Sequence, residues 1–463
     1  MLSFIAIVLL TALILLFARY SHLLLPNSPP LLRMVYGMKH TFDFIYLGPG
    51  AALDKFNESL VKTLFKLPTL SNSPATGELV SAFSGTDIDP ETLAGLMGHH
   101  IFPAIGRVLR SQDFLERISP ALATSISEFL KTQSFPAITH SLSELVGAAL
   151  ISSISQAILG PLFPPDAITD LRTLDTSFYT RMLGFPLTGS QFRDAHSRML
   201  SRIEVYLALV ETDCSGAWPG FPLVQEYLRE AYSNDLSTRN RAALFMTLVW
   251  GLTAAPTNVT SWLLAFLFDD PCALAKVRHE VDSVLQTYRG DVVKLISDPT
   301  AFGPSSFPII DSAIKETLRL ISNATPFRQA TCDFDLDYGG NSLKIRAGEY
   351  IMANTRAHNM DPSVYAHPQT FVVDRFLEGT VTKRDHNSIP IGFGGGKHAC
   401  KGRLFVHRHI KAFVALWVSL LEVEVDGDTE TYKVPKKMER SFNVAQMSRP
   451  VMIRLKQRRE SRS

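Results

Sequence analysis

Phe393-Gly394-Gly395-Gly396-Lys397-His398-Ala399-Cys400-Lys401-Gly402 leads a run of glycines to one cysteine, and the apolar-periodic segment after it reads as a helix beginning just beyond Cys400. Glycine has no Cβ, so a flat ligand can approach such a backbone closely. A cysteine at a helix start also sits near the positive end of the dipole, which is expected to favour its thiolate. A lone cysteine is more often a buried apolar residue than a ligand, and only its surroundings can overturn that reading. His398, His407 and His409 raise the question of zinc. The spacing H-x-C-x6-H-x-H fits no closed zinc pattern, and a helix would turn His407 and His409 to different sides.

Upstream, Glu316-Thr317-Leu318-Arg319 sets a carboxylate and a guanidinium at i and i+3, on one side of a helix. Phe371-Val372-Val373-Asp374-Arg375-Phe376 supplies a further arginine, and Phe327-Arg328-Gln329-Ala330 lies between the two. Taken singly these are ordinary surface charges. Together with the cysteine loop they resemble the cytochrome P450 family, whose loop runs F-x-x-G-x-R/H-x-C-x-G. Phe393, Gly396, His398, Cys400 and Gly402 fall on its fixed places.

That resemblance implies a mainly α fold with small β-sheets and a bound haem b whose iron is held by the Cys400 thiolate. Electron donation from such a thiolate favours cleavage of the O–O bond. It further implies that Phe393 packs near the sulfur, that His398 and Arg328 reach the haem propionates, and that Gly402 permits a tight turn below the ring. Glu316, Arg319 and Arg375 would form a buried ionic network with a structural role. Val373 and Asp374 depart from the usual F-x-P-E-R-F.

The long apolar segment Thr238–Phe268 is expected to cross the distal face of the haem. Counting back from Asp270-Pro271, the places where relatives carry an acid and an alcohol are Ala254 and Ala255 here. Those side chains cannot relay protons. Thr253, Thr257, Asn258, water or a substrate hydroxyl are the possible substitutes, and the proton donor stays unassigned. Pro256 follows directly and is expected to kink the helix. Trp250 and Trp262-Leu263-Leu264 look like the sterol-hydroxylating and prostanoid-isomerising branches of the family. Leu252, Ala254, Ala255, Phe327 and Phe442 are the candidate pocket walls.

Further helices are expected over Pro90–Gly98, Ser111–Gln133, Ile138–Leu159, Gly189–Thr212, Pro271–Tyr288 and Ser312–Ile321. Between Thr331 and Thr355 the pattern alternates around Gly339-Gly340, which reads as a hairpin. Asp333, Asp335 and Asp337 mimic the start of a calcium loop, but Tyr338 and Lys344 stand where that loop needs Gly and Glu.

Lys and Arg number 46 against 44 Asp and Glu, a formal charge of +2 that gives no case for a nucleic-acid partner. Cys214, Cys272, Cys332 and Cys400 are far apart, so neither a disulfide framework nor a zinc ribbon is indicated and the body reads as cytosolic. Leu2–Ala18 is uncharged and at the short end of a membrane span, and Arg19, Arg33 and Lys39 follow it. The expected organisation is an anchor at 1–19, a Pro-containing hinge at 20–33 with Pro26, Pro29 and Pro30, and a catalytic domain at 34–463 on the cytosolic side of the endoplasmic reticulum membrane.

The expected activity is a monooxygenase acting on a lipophilic small molecule such as a terpenoid, steroid or polyketide-like secondary metabolite, with electrons from a separate NADPH-cytochrome P450 reductase. Ala254 and Ala255 keep a haem-thiolate isomerase, dehydratase or oxidative-rearrangement enzyme open as the alternative. A non-catalytic haem-binding protein is the third reading.

Overall fold

The protein is represented by a computed structural model that describes residues 70–72, 74–133, 138–182, 189–212, 218–322, 327–338, 341–352, 355–377, 392–394, 399–426, 432–438 and 444–458. Its helices, in order, are α1 (Pro74–Ser84), α2 (Pro90–Leu96), α3 (Phe102–Val108), α4 (Gln112–Thr132), α5 (Leu142–Ile154), α6 (Ala167–Met182), α7 (Ser190–Thr212) and α8 (Phe221–Ser233). They continue as α9 (Thr238–Asp269), α10 (Pro271–Thr287), α11 (Val292–Ser297), α12 (Pro308–Ile321), α13 (Thr355–Asn359) and α14 (Arg403–Leu420). Single π-helical turns follow α2 and α5, at Met97–Ile101 and Ser155–Leu159.

The strands are β1 (Leu70–Asn72), β2 (Thr139–Ser141), β3 (Phe327–Ala330), β4 (Phe334–Tyr338), β5 (Asn341–Ile345) and β6 (Tyr350–Met352), then β7 (Leu421–Val425), β8 (Lys437–Met438), β9 (Gln446–Met447) and β10 (Met452–Gln457). They pair as β1-β3-β6, β2-β10-β7, β4-β5 and β8-β9, every ladder antiparallel. Mainly helix with small sheets is therefore the observed architecture. The helix expected from Ile138 begins at Leu142 instead, because Thr139–Ser141 is taken up by β10. In the β4–β5 hairpin Asp335 stands opposite Lys344, while Asp333 accepts the Ala347 N–H at 2.8 Å. The Gly339-Gly340 turn itself lies outside the described residues.

The core runs along α9. Ser237 caps its start by accepting the Asn240 N–H at 3.2 Å. Asp270 turns extended and ends it, then accepts the Ala273 N–H at 3.0 Å as the cap of α10, with Pro271 at the first helical position. Pro256 lies inside α9 and has no N–H for the Leu252 carbonyl, yet the helix continues over its full 32 residues. Such a proline costs about 3 kcal/mol in an isolated helix. Here α9 is clamped by packing on α5, α7, α12 and α14, which overrides the local preference. By composition α9, and α5 with its π turn, are apolar enough to cross a bilayer; in this fold they are mostly buried core helices.

α14 threads the same core and buries Arg408, His409 and Lys411. His409 Nε2 lies 2.8 Å from Ser153 Oγ of α5, and burial pulls its pKa from 6.5 down to about 3. A depressed folded-state value means that neutral His409 stabilises the fold above pH 6.5, and that this is lost as pH falls from 6.5 toward 3. In His409→Gln protein the denaturant midpoint should therefore decline less steeply across that window than in the wild type. Parallel declines would show that His409 is not an acid trigger.

Candidate functional site

Cys400 sits three residues before the first residue of α14, in a loop closed by its own N–H donating to the Phe393 carbonyl at 2.8 Å. Gly394 takes φ +68, a left-handed conformation that favours glycine. Gly392 lies so close to α12 that a Cβ there would stand 2.9 Å from Leu318 Cβ. Gly402 caps α14 with φ −89, and an added Cβ would meet Leu109 Cδ1 at an ordinary 3.6 Å. The protein backbone therefore gives no reason for glycine at 402. Gly396 and His398 lie outside the described residues.

Cys400 keeps accessible surface while the protein desolvates its thiol from the other sides. Burial raises the thiol pKa, and the Gly402 N–H with the charges of Arg403 and Lys401 opposes it. The Gly402 N–H at the helix cap thus acts toward the thiolate, the direction expected from the sequence, against the burial. Lys401 packs against Gly106 of α3, where a Cβ would come within 2.9 Å of its side chain. Burial and the neighbouring cations Arg110 and Arg403 lower the Lys401 pKa, so Cys400 is flanked by positive charge.

The structure brings Glu316, Arg319 and Arg375 together. Glu316 and Arg319 face the same side of α12 with fully buried side chains, and Arg319 Nε and Nη2 each donate to a Glu316 oxygen at 2.8 Å. Arg375 Nε donates to Glu316 Oε1 at 3.0 Å, and so does the Val372 N–H at 3.1 Å. The free edge of Arg319 reaches the carbonyls of Asn359 and Pro368, at 2.8 and 2.6 Å. A buried carboxylate with two guanidiniums and a backbone donor has its acceptor sites filled. The two departures from the family pattern have local reasons: Val373 is buried in the core, and Asp374 pairs with Lys276 of α10 at 2.5 Å. Beside this network Asp311 of α12 pairs with His407 Nδ1 at 3.0 Å and Lys411 Nζ at 3.2 Å, tying α12 to α14. His407 and His409 thus point to separate partners.

Along α9, Gly251 is exposed and an added Cβ would meet nothing within 4 Å, while Ala254 and Ala255 are half-buried. Leu252 turns the other way into the core at 4% exposure and does not line the neighbouring cavity. Thr253 is buried too, its hydroxyl donating to the Val249 carbonyl at 2.9 Å. A cavity of about 480 Å³ lies between α5, α6, α9 and the β8–β9 hairpin, with Arg172, Asp175, Ala254, Thr257, Asn258 and Gln446 on its walls.

Asp175 was not legible as a site residue. It accepts the Trp250 indole N–H at 3.0 Å and the amides of Asn258 and Gln446 at 3.3 and 3.2 Å. Burial raises its pKa against those three hydrogen bonds. The available signal was Trp250, whose indole N–H must find an acceptor when packed among Phe83 and Phe178. Phe327 and Arg328 lie in β3, opposite Met352 and Ile351, with Asn72 on the other side of Arg328. Phe442 lies outside the described residues.

Among the described residues no three His, Cys, Asp or Glu side chains converge to hold a metal ion. A single accessible thiol with adjacent backbone N–H and cations fits an iron that brings its other ligands in a porphyrin ring. The cytochrome P450 family profile matches residues 222–455. Cholesterol 7-alpha-monooxygenase of Cricetulus griseus is 31% identical over 214 residues, covering 43% of this chain and 42% of that protein. Prostacyclin synthase of Homo sapiens is 28% identical over 220 residues, covering 45% and 43%, and ferruginol synthase of Isodon rubescens is 27% identical over 238 residues, covering 50% and 46%. The match thus spans less than half the length of these relatives. The crystal structure of the cytochrome P450DA heme domain superposes with a TM-score of 0.66 at 17% identity, covering 87% of each chain, a likeness of fold alone.

Proposed function

Because the chain belongs to the cytochrome P450 family, whose members hold haem b through a cysteine thiolate, we propose that it is a haem-thiolate monooxygenase of a lipophilic small molecule. The observation that carries this reading is the accessible Cys400 thiol at the start of α14, in a loop seated against the Glu316–Arg319 helix. Haem bound there would supply dioxygen activation. Cys400 would hold its iron, with Phe393, Gly396 and Gly402 forming the loop and His398 and Arg328 reaching the propionates. Glu316, Arg319 and Arg375 would hold the segment before the loop in place.

Electrons would come from a separate NADPH-cytochrome P450 reductase. Arg110, Lys401 and Arg403 support this, since they set cations around Cys400 that suit an acidic electron donor. A sterol-like or terpenoid-like substrate is favoured by relatives named for acting on cholesterol and for making ferruginol. Ala254, on the cavity, and Ala255, beside it on α9, leave room for a bulky molecule. Residues 1–19 would anchor the body to the endoplasmic reticulum membrane and 20–33 would space it from the bilayer.

A second reading, rearrangement of an oxygenated lipid without a reductase, is motivated by Ala254 and Ala255 and by the likeness to prostacyclin synthase. Purified protein given sterol and terpenoid panels should form product only with NADPH and reductase. Product from an endoperoxide in their absence would favour the rearrangement.

A further inference from the structure

The open stripe of α9 reads Gly251, Ala254, Ala255 and Asn258, so the helix offers no acid along it. An acid arrives from the neighbouring helix. Trp250 and Asn258 stand four residues before and four after Ala254, and each holds one oxygen of Asp175 from α6. The carboxyl therefore bridges α9 across the alanine. Its direct partners are an indole and two amides, all neutral. On the same cavity wall Thr257 carries a buried hydroxyl with no hydrogen-bond partner among the described residues. A cavity of about 480 Å³ with such groups is roomy and polar enough to hold water.

We propose that Asp175 is the proton-holding residue of this site, passing a proton through cavity water and the Thr257 hydroxyl to the reacting molecule. The inference rests on the monooxygenase reading, which needs protons delivered beside α9. Asp175 gives up H⁺ from its carboxyl oxygen and keeps the bonding pair as carboxylate. Trp250, Asn258 and Gln446 then donate to that carboxylate, and a solvent proton restores the acid. Burial keeps the carboxyl protonated to higher pH than an ordinary aspartate.

The charged groups around it are few. On α6, Arg172 pairs with Glu144 of α5 at 3.7 Å, and Asp170 is paired with Arg198 and Arg202 of α7. Arg449 lies just beyond β9 on the cavity wall, Glu78 of α1 is exposed, and α9 presents neutral residues to the cavity.

The test uses the full-length, haem-loaded protein and its NADPH-driven turnover. Infrared difference spectra should show a carboxylic-acid C=O band that titrates above the ordinary aspartate range, is lost in Asp175→Asn and is kept in Asp175→Glu. Asp175→Asn should lower product formation about 10²-fold, the scale of a lost general acid, and change the pH profile. Moving the acid back onto α9, as Ala254→Asp with Asp175→Asn, should recover part of the rate. A wild-type pH profile in Asp175→Asn, or no titrating band in the wild type, overturns the proposal. If Asp175→Asn does not fold, Thr257→Val decides: it should slow turnover while the carboxyl band still titrates, and a wild-type rate overturns the relay. A wild type lacking the thiolate-type carbon monoxide spectrum would remove the monooxygenase reading instead, and the infrared titration would remain interpretable.

Discussion

Cys400→Ser protein, reduced and exposed to carbon monoxide, should lack the thiolate-type Soret shift and lose turnover essentially completely. Serine keeps the size and the backbone of the loop, including the Cys400 N–H to Phe393 carbonyl bond. It removes the thiolate, since a hydroxyl in a desolvated site stays neutral where a thiol in contact with iron ionises. Arg403, Lys401 and the Gly402 N–H would then face no anion. The control is Cys272→Ser, an exposed thiol on α10, which should leave spectrum and rate unchanged. A thiolate spectrum that survives Cys400→Ser would move the ligand elsewhere and remove the proposed function.

Glu316→Ala should be the most damaging substitution to the fold. The carboxylate is fully buried between Arg319 and Arg375, so its removal leaves Arg319 desolvated with no anion beside it, only backbone carbonyls, the Met360 sulfur and the Tyr365 ring. Breaking a buried pair from one side costs about 3–5 kcal/mol, a large share of the stability of an ordinary domain. Protein carrying Glu316→Ala should unfold at markedly lower denaturant and lose bound haem. Arg375→Ala should cost less, because that side chain is 13% exposed and Glu316 retains Arg319. Equal losses for the two would mean that the network is not centred on Glu316.

How much of this was readable beforehand depended on whether the signal was local. The stretches around Glu316, Arg375 and Cys400 carry fixed spacings, so the members of the network could be named before their contacts were seen. The span of α9 was read to within a residue because its apolar periodicity runs unbroken up to Asp270-Pro271, and the structure adds the Ser237 cap at its start. The helices α1, α3, α6, α8, α11 and α13 were not read, and with α6 went Asp175. Its meaning comes from Trp250, Asn258 and Gln446, which are 75, 83 and 271 residues away. No window on the sequence can contain such a set. Leu252 failed for the complementary reason: position on a helix decides burial, and the apolar label said nothing of which side it faced.

The near-contact between Gly392 and Leu318 has a mechanical consequence. Leu318 lies between Glu316 and Arg319, and its Cβ stands where any side chain at 392 would need to go. The loop backbone therefore bears directly on the helix that the ion network locks in place. A sideways displacement of α12 is transmitted through that hydrocarbon contact to the chain carrying the sulfur, because close-packed atoms transmit strain and do not absorb it. The charges act as an anchor point and Leu318 as the bearing, so the position of Cys400 is set by a linkage that contains no ligand of the iron.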